Sequence, residues 1–233
     1  MIEKWNQWKN SWEWIMSVAT RKGWWTYPLS INPTITVDEL EALEKRLGVK
    51  YPKEFRHVLT HFGAAVKMGW SIDLSTPQEV FCFASLNNAY ISWGGGGKIA
   101  GFETCDKTPY LWDFNRLEEL YHIWRDWILN CYNDPVDPYD CHYHNKLPFI
   151  EICNGDLIVF DTEGRVVFLC HDGDVDFHGV RLADDFCEFI SIWSRLGCAG
   201  PEIEDLKIFY DFSEKRLAAS GERFDAWVEW LNG

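Results

Sequence analysis

The stretch FIEICNGDLIVFDTEGRVVFLC at residues 149–170 decides the fold, because its pattern is that of three β-strands joined by two short turns. The strands are predicted at Phe149–Asn154, Leu157–Asp161 and Arg165–Cys170. Connections of only a few residues join antiparallel neighbours. Apolar residues fall on both faces of the last two strands, so helices are expected to cover at least part of each face of this sheet.

Helix signals lie on both sides of this β region. Thr36-Val37-Asp38-Glu39 has the form of a capping box, and leucines at helical spacing follow it until Gly48. A second short helix is predicted from Pro52 to Gly63, since proline suits the first helical position. Further helices are predicted at residues 4–20 and 114–131, after Asp184-Asp185, and twice after Pro201.

The rest of the chain has weaker signals. Trp5, Trp8, Trp12 and Ile15 form a stripe on the first helix, which predicts that the helix docks by this aromatic face; a partner-binding helix is the alternative. Residues 27–33 have the composition of a linker. Further strands are predicted at Trp70–Leu74, Val80–Ala84 and Ala89–Trp93. Gly94–Ile99 is predicted to be a loop, because it lacks the spacing of a phosphate-binding loop and the helix of a dinucleotide site.

Composition narrows the possible partners. The 233-residue chain has 36 acidic and 22 basic residues, a formal net charge of −14. Such a charge repels phosphate backbones and anionic lipid and attracts basic proteins, so nucleic acid and membranes are not expected as partners. Eight cysteines are spread along the chain, several of them within apolar runs, which is typical of reduced thiols in the cytoplasm. We expect neither a signal peptide nor a membrane span.

Three segments in sequence order carry short motifs. They are Ile35–Gly63, Ile150–Asp161, and Arg165–Asp172 continued by Leu182–Ile190. They resemble the opening, the central Gly-Asp hairpin and the closing segment of the SMI1/KNR4 family, the SUKH superfamily. We therefore expect an SMI1/KNR4-like domain at residues 34–200 with an insert around 110–145. A Trp-rich helical extension at 1–33 and a helical extension at 201–233 are expected to complete one compact unit.

The resemblance implies an α+β fold with a mainly antiparallel sheet flanked by helices. For bacterial members it implies an immunity protein that binds and neutralises a toxin domain, often a nuclease, whereas fungal members act as signalling scaffolds. An acidic protein suits a basic toxin. Two other functions stay open at this point: a scaffold or regulator without a toxin partner, and an enzyme with a Trp-lined cleft.

Two acidic segments with nearby aromatic residues are the candidate partner-binding surface. The first contributes Asp134, Asp137 and Asp140, and the second contributes Asp172, Asp174 and Asp176. Their charges would steer the encounter with a basic partner, and Trp or Tyr side chains would supply most of the affinity.

Other residue clusters contain side chains of the types that bind metals. Asp172–Asp176 fails the calcium-loop pattern, because Phe177 and Ala183 stand where Gly and Glu are required. A zinc site could use Cys131, Cys141, His142 and His144, although their spacing is irregular, and a transition-metal site could use His171 and His178. No spacing matches a catalytic signature, so we predict no catalytic residue, no bound metal and no cofactor.

Overall fold

The computed structural model describes residues 2–71, 82–83, 89–90, 95–96, 110–152, 155–171, 177–200 and 203–233. The chain divides into two compact units. The first comprises residues 1–30, 67–111 and 190–233, and the second comprises residues 31–66 and 112–189. In the described ranges, no helix is long and apolar enough to cross a bilayer.

Helices and strands alternate irregularly along the chain, as expected for an α+β protein. The helices are α1 (Ile2–Arg21), α2 (Val37–Leu47), α3 (Lys53–His61), α4 (Leu117–Asn130), α5 (Phe186–Arg195), α6 (Ile203–Ile208) and α7 (Glu222–Asn232). The strands are β1 (Trp25–Ile31), β2 (Ala65–Ser71), β3 (Cys82–Phe83), β4 (Ala89–Tyr90), β5 (Gly95–Gly96), β6 (Tyr110–Asp113), β7 (Leu147–Glu151), β8 (Leu157–Phe160), β9 (Val166–Leu169), β10 (Arg181–Ala183), β11 (Tyr210–Asp211) and β12 (Arg216–Leu217).

The second unit is built on an antiparallel sheet with strand order β10-β9-β8-β7. Leu157 lies opposite Leu169 in the β8–β9 pair and opposite Glu151 in the β7–β8 pair. The three antiparallel strands predicted from residues 149–170 are thereby confirmed. The sheet also contains β10, which the sequence did not indicate because the strand has only three residues.

Both faces of this sheet are covered, as predicted. On one face, Leu120 and Trp124 of α4 belong to a buried cluster with Leu157 and Val159 of β8. On the other face, Phe160 of β8 packs against rings from both α3 and α5. The centroid distances from Phe160 are 5.2 Å to Phe55, 6.2 Å to Phe186 and 4.2 Å to Phe149. Burying a side chain of this size contributes about 1.5–3 kcal/mol.

The helix pair α2–α3 also follows its sequence signals. The Thr36 hydroxyl accepts the Glu39 amide proton at 3.2 Å, and the Glu39 carboxylate accepts the Thr36 amide proton at 2.7 Å, which confirms the capping box. Gly48 ends α2 in the left-handed conformation with φ 69°. Pro52 is the residue before the first turn of α3 and not its first helical residue.

In the first unit, α1 docks by its aromatic face, as expected. Trp8, Trp12 and Ile15 are buried. The indole N–H of Trp8 donates to Ser191 Oγ at 2.9 Å, and that of Trp12 donates to Ser194 Oγ at 2.8 Å. Each buried indole therefore has a partner for its one polar group, which removes the penalty that burial would otherwise impose.

Four further indoles form a closed arrangement that we call the tryptophan ring. Trp24 stacks on Trp70 at 5.1 Å and on Trp230 at 5.6 Å, Trp230 stacks on Trp227 at 5.1 Å, and Trp227 lies 6.4 Å from Trp70. The Lys22 ammonium lies over Trp24 and Trp230, at 5.8 and 5.2 Å from their centroids. Much of the unusual tryptophan content is therefore used for packing and does not line a cleft.

Two predictions for local structure were wrong. Residues 27–33 were expected to be a linker, yet β1 runs from Trp25 to Ile31 and includes Pro28. β1 lies at the edge of its sheet, where a residue without an amide proton is tolerated. The predicted loop at residues 94–99 contains β5, whose Gly95 and Gly96 pair with β2.

The C-terminal part contains the two predicted helices, α6 and α7, and a hairpin between them. In this hairpin Tyr210 of β11 lies opposite Leu217 of β12. The sequence did not indicate it, because two-residue strands have too few positions for an alternating pattern.

Candidate partner-binding surface

The first acidic segment follows α4, and we call residues 132–140 the acidic loop. Its three aspartates are close together in the fold. Asp134 accepts the Val136 amide proton at 3.0 Å, Asp140 accepts the Asp134 amide proton at 3.2 Å, and Asp137 accepts the amide protons of Tyr139 and Asp140 at 2.8 and 3.0 Å. The backbone N–H groups of Asp140 and Tyr139 hold the pKa of Asp137 below its ordinary value. Asp137 therefore shapes the loop as well as carrying charge.

Tyrosine hydroxyls fasten the acidic loop to the end of β9. Tyr139 and Tyr143 both donate to the Cys170 carbonyl oxygen at 2.5 Å, and Tyr132 donates to the His171 carbonyl oxygen at 2.7 Å. The rings of Tyr132 and Tyr143 are stacked at 4.0 Å with an interplanar angle of 2°. Burial raises the pKa of Tyr143, which keeps its hydroxyl protonated as a donor.

His178 supports the loop as a neutral imidazole. Its Nδ1 accepts the Cys170 amide proton at 3.1 Å, so its Nε2 carries the proton and donates to the Tyr139 carbonyl oxygen at 3.1 Å. The ring also stacks on Tyr139 at 4.0 Å. Burial lowers the pKa of His178 to about 4. Because both ring nitrogens are hydrogen-bonded within the fold, this histidine has a structural role and is unsuited to the metal site considered with His171.

Apolar side chains are exposed in the acidic loop and on α4. Val136, in the acidic loop, is 85% exposed, and Leu129, near the end of α4, is 64% exposed. Sequence reasoning missed both. Leu129 could have been found, because it falls off the apolar face of α4 that contains Leu120 and Trp124. An interface has an apolar core and a polar rim, and exposed apolar side chains on a surface that also carries carboxylates are compatible with that arrangement.

The second acidic segment lies outside the described residues, so Asp172, Asp174 and Asp176 have no structural account. The residues on either side of it are described. His171 donates its amide proton to the buried carboxylate of Asp156 at 2.8 Å and has its Nδ1 2.7 Å from the same oxygen. Because Tyr132 of the acidic loop bonds to the His171 carbonyl oxygen, the loop lies against the residue that precedes Asp172.

The other metal candidate is dispersed. Cys141 Sγ donates to the Pro138 carbonyl oxygen at 3.4 Å, and the His142 ring packs against His178 with centroids 5.3 Å apart. Cys131 is exposed. Over the part of the chain that the structure describes, no three His, Cys, Asp or Glu side chains are grouped so as to hold a metal ion.

These features define a class: an α+β protein whose antiparallel sheet is covered on both faces and which carries an acidic loop with an exposed apolar residue. The SMI1/KNR4 family (SUKH-1) model matches residues 34–192, and the chain belongs to that family. The resemblance of the three sequence segments is thereby confirmed. Comparison with curated proteins and with solved structures finds no match. The acidic loop lies within the matched range.

Proposed function

We propose that this chain is a non-enzymatic protein-binding module, and specifically an immunity protein that binds and neutralises a basic toxin domain. The observation that carries the proposal is the acidic loop, which contains Asp134, Asp137, Asp140 and the exposed Val136 and is held by tyrosine hydroxyls. Membership of the SUKH-1 family supports a protein-binding role.

The three features of the loop contribute in different ways. Carboxylates accelerate encounter with a basic partner, and they do so less as salt is added. Val136 and Leu129 supply apolar area that a partner can bury, which slows dissociation. The tyrosine and histidine hydrogen bonds order the loop before binding, so less conformational entropy is lost on association.

Neutralisation on this proposal needs no chemistry from the chain. A basic toxin, such as a nuclease, uses its positive surface to bind a phosphate backbone. An acidic protein that occupies that surface excludes the substrate both sterically and by charge repulsion. The toxin is released unchanged when the complex dissociates.

Affinity capture with matched variants tests the proposal. The tagged protein is incubated with a lysate of its own organism at low and at moderate salt, and the retained proteins are identified. Asp134→Asn/Asp140→Asn removes two charges from the acidic loop. Glu3→Gln/Glu13→Gln is the control, since it removes two exposed charges from α1.

We expect a basic protein that the wild type and the control retain equally and the loop variant retains less. We also expect this protein to be toxic when expressed alone and harmless when co-expressed with the chain. Equal retention by both variants would show that the acidic loop is not the interface. A retained partner that is not toxic would reject the immunity function in favour of a scaffold.

The second acidic segment is tested in the same way. Asp172→Asn, Asp174→Asn and Asp176→Asn together should slow association and weaken its salt dependence, as measured with the partner captured above. An unchanged association rate and unchanged salt dependence would remove this segment from the interface.

A further inference from the structure

A groove of about 520 Å³ opens in the second unit, away from the residues of the acidic loop. Five parts of the chain line it: the α2–α3 connection, the first turn of α3, the middle of α4, the residues that lead into β7, and the β8–β9 turn. Its volume lies within the range of about 300–1,000 Å³ that is usual for small-molecule sites.

The groove is unusual in its charge. Lys50, Lys53 and Lys146 all line it, and within the described ranges none of them forms an ion pair with a carboxylate. The chain as a whole has a net charge of −14, so a groove lined by three lysines differs from the acidic composition of the chain.

Arg165 pairs with two of the three carboxylates that line the groove. Its Nε lies 2.7 Å from Asp161 Oδ2, and a terminal guanidinium nitrogen lies 3.2 Å from Glu163 Oε1. Glu54, in the first turn of α3, is the remaining carboxylate in the lining. The lining itself has three lysines and three carboxylates, and Arg165, which lies beside the groove, raises the cations to four. This excess of one positive charge favours an anionic ligand.

Aromatic rings give the groove an apolar wall. Trp124 donates its indole N–H to the Tyr143 carbonyl oxygen at 2.8 Å, which fixes the orientation of the ring, and Tyr121 lies beside it at 5.4 Å. Lys146 is fixed as well, because its Nζ donates to the His144 carbonyl oxygen at 3.0 Å. The preceding residue, Asn145, adopts the left-handed conformation with φ 57°, which asparagine tolerates better than most residues.

We propose that this groove binds a small organic anion that has a flat apolar body and a carboxylate or phosphate group. The ammonium groups of Lys50, Lys53 and Lys146 bind the anionic group, while Trp124 and Tyr121 contact the flat body. This groove shares no lining residue with the acidic loop.

Three probes of one shape test the inference by calorimetry with the full chain. They are 1-naphthyl phosphate, 1-naphthoate and the uncharged 1-naphthol. We expect at least one anion to bind about tenfold or more tightly than 1-naphthol, because only the anions can pair with the lysines. Preference for one anion over the other identifies the head group. Equal affinity for all three probes, or no binding of any, overturns the proposal.

Matched lysine variants locate the site. Lys50→Gln/Lys53→Gln should weaken binding of the preferred anion about fivefold, whereas Lys4→Gln/Lys45→Gln, which removes two exposed charges elsewhere, should leave it within about twofold. All four side chains are exposed, so folding should be preserved. Lys146→Met should weaken binding further, with the denaturation midpoint measured as a check on folding. Equal effects of the two double variants would place the anion outside the groove.

Discussion

Single side chains fix the acidic loop to the sheet, and His178 is the one whose role depends on pH. Its two hydrogen bonds require the neutral ring, with Nδ1 as acceptor and Nε2 as donor. Protonation would put a second donor against the Cys170 amide proton. The acidic loop is therefore held by a residue that must stay uncharged.

We predict that the protein becomes less stable as the pH decreases, because His178 takes up a proton. In the unfolded chain a histidine takes up its proton near pH 6.5, whereas His178 in the fold does so only near about 4. Between these values the unfolded state binds more protons, so the free energy of unfolding decreases as pH falls and is reduced by about 3 kcal/mol near the folded pKa. Urea unfolding across this pH range measures the effect.

His178→Gln should remove most of this pH dependence, and His122→Gln should not, because His122 is exposed on α4. Burial also lowers the pKa of His142, so a smaller dependence should remain in the His178 variant. An identical pH profile for the wild type and His178→Gln would contradict the assignment.

A second prediction at this scale concerns the capping box. Thr36→Ala removes the hydroxyl that accepts the Glu39 amide proton and should lower the free energy of unfolding by about 1 kcal/mol. Thr36→Ser keeps the acceptor and should cost much less. Chemical denaturation distinguishes the two. Equal losses would mean that the hydroxyl does not stabilise the start of α2.

At the scale of elements, the turn before β10 is packed against the 3₁₀ turn at Asp140–Tyr143. Gly179 has φ 74°, and a Cβ atom there would lie 2.3 Å from the His142 ring. Gly179→Ala should therefore cost about 3 kcal/mol or more through both backbone strain and overlap. Gly23→Ala is the control, because Gly23 has a similar φ of 72° with open space around it, and it should cost about 1 kcal/mol. Similar losses would show that His142 moves aside freely.

Elements were predictable where the sequence period was strong. The three strands of residues 149–170 follow from apolar runs separated by short turns, and the buried faces of α2 and α4 follow from helical spacing. β1 was missed because Pro28 is a turn signal that only the edge position permits. β10 and the β11–β12 hairpin were missed because strands of two or three residues have almost no period.

The candidate site was predictable in part. The clustering of Asp134, Asp137 and Asp140 followed from their closeness in the sequence. The hydrogen bonds that each carboxylate accepts within the loop did not follow, because they depend on which backbone amides each one meets. The hydrogen bonds from Tyr139 to Cys170 and from Tyr132 to His171 join residues 31 and 39 positions apart. Local sequence patterns do not reveal contacts over such separations.

At the scale of the whole molecule, the two units use aromatic residues differently. In the second unit, tyrosines fasten a surface loop through their hydroxyls. In the first unit, indoles pack against each other in the tryptophan ring and against the serines of α5. The tryptophans of the first unit described above therefore serve packing and do not form a binding cleft.

Two adjacent tryptophans allow a matched test of the tryptophan ring. Trp24→Ala removes a buried ring that stacks on two others and should lower the free energy of unfolding by about 3–5 kcal/mol. Trp25→Ala changes a side chain that is 45% exposed and should cost about 1 kcal/mol or less. Denaturant unfolding of the two variants provides the comparison. Losses of equal size would show that the buried Trp24 contributes no more to stability than a half-exposed side chain.

The tryptophan ring also has a consequence for biosynthesis. Trp24 is synthesised about 200 residues before Trp227 and Trp230. Trp8 and Trp12 are synthesised 183 and 182 residues before their hydrogen-bond partners Ser191 and Ser194. All residues of the second unit precede Ile190, so that unit can pack while the first is still incomplete. A nascent chain with unpaired indoles at its start is a substrate for chaperones that bind aromatic segments. Slow translation should therefore prolong the exposure of unpaired indoles in the first unit and affect the folding of the second unit much less.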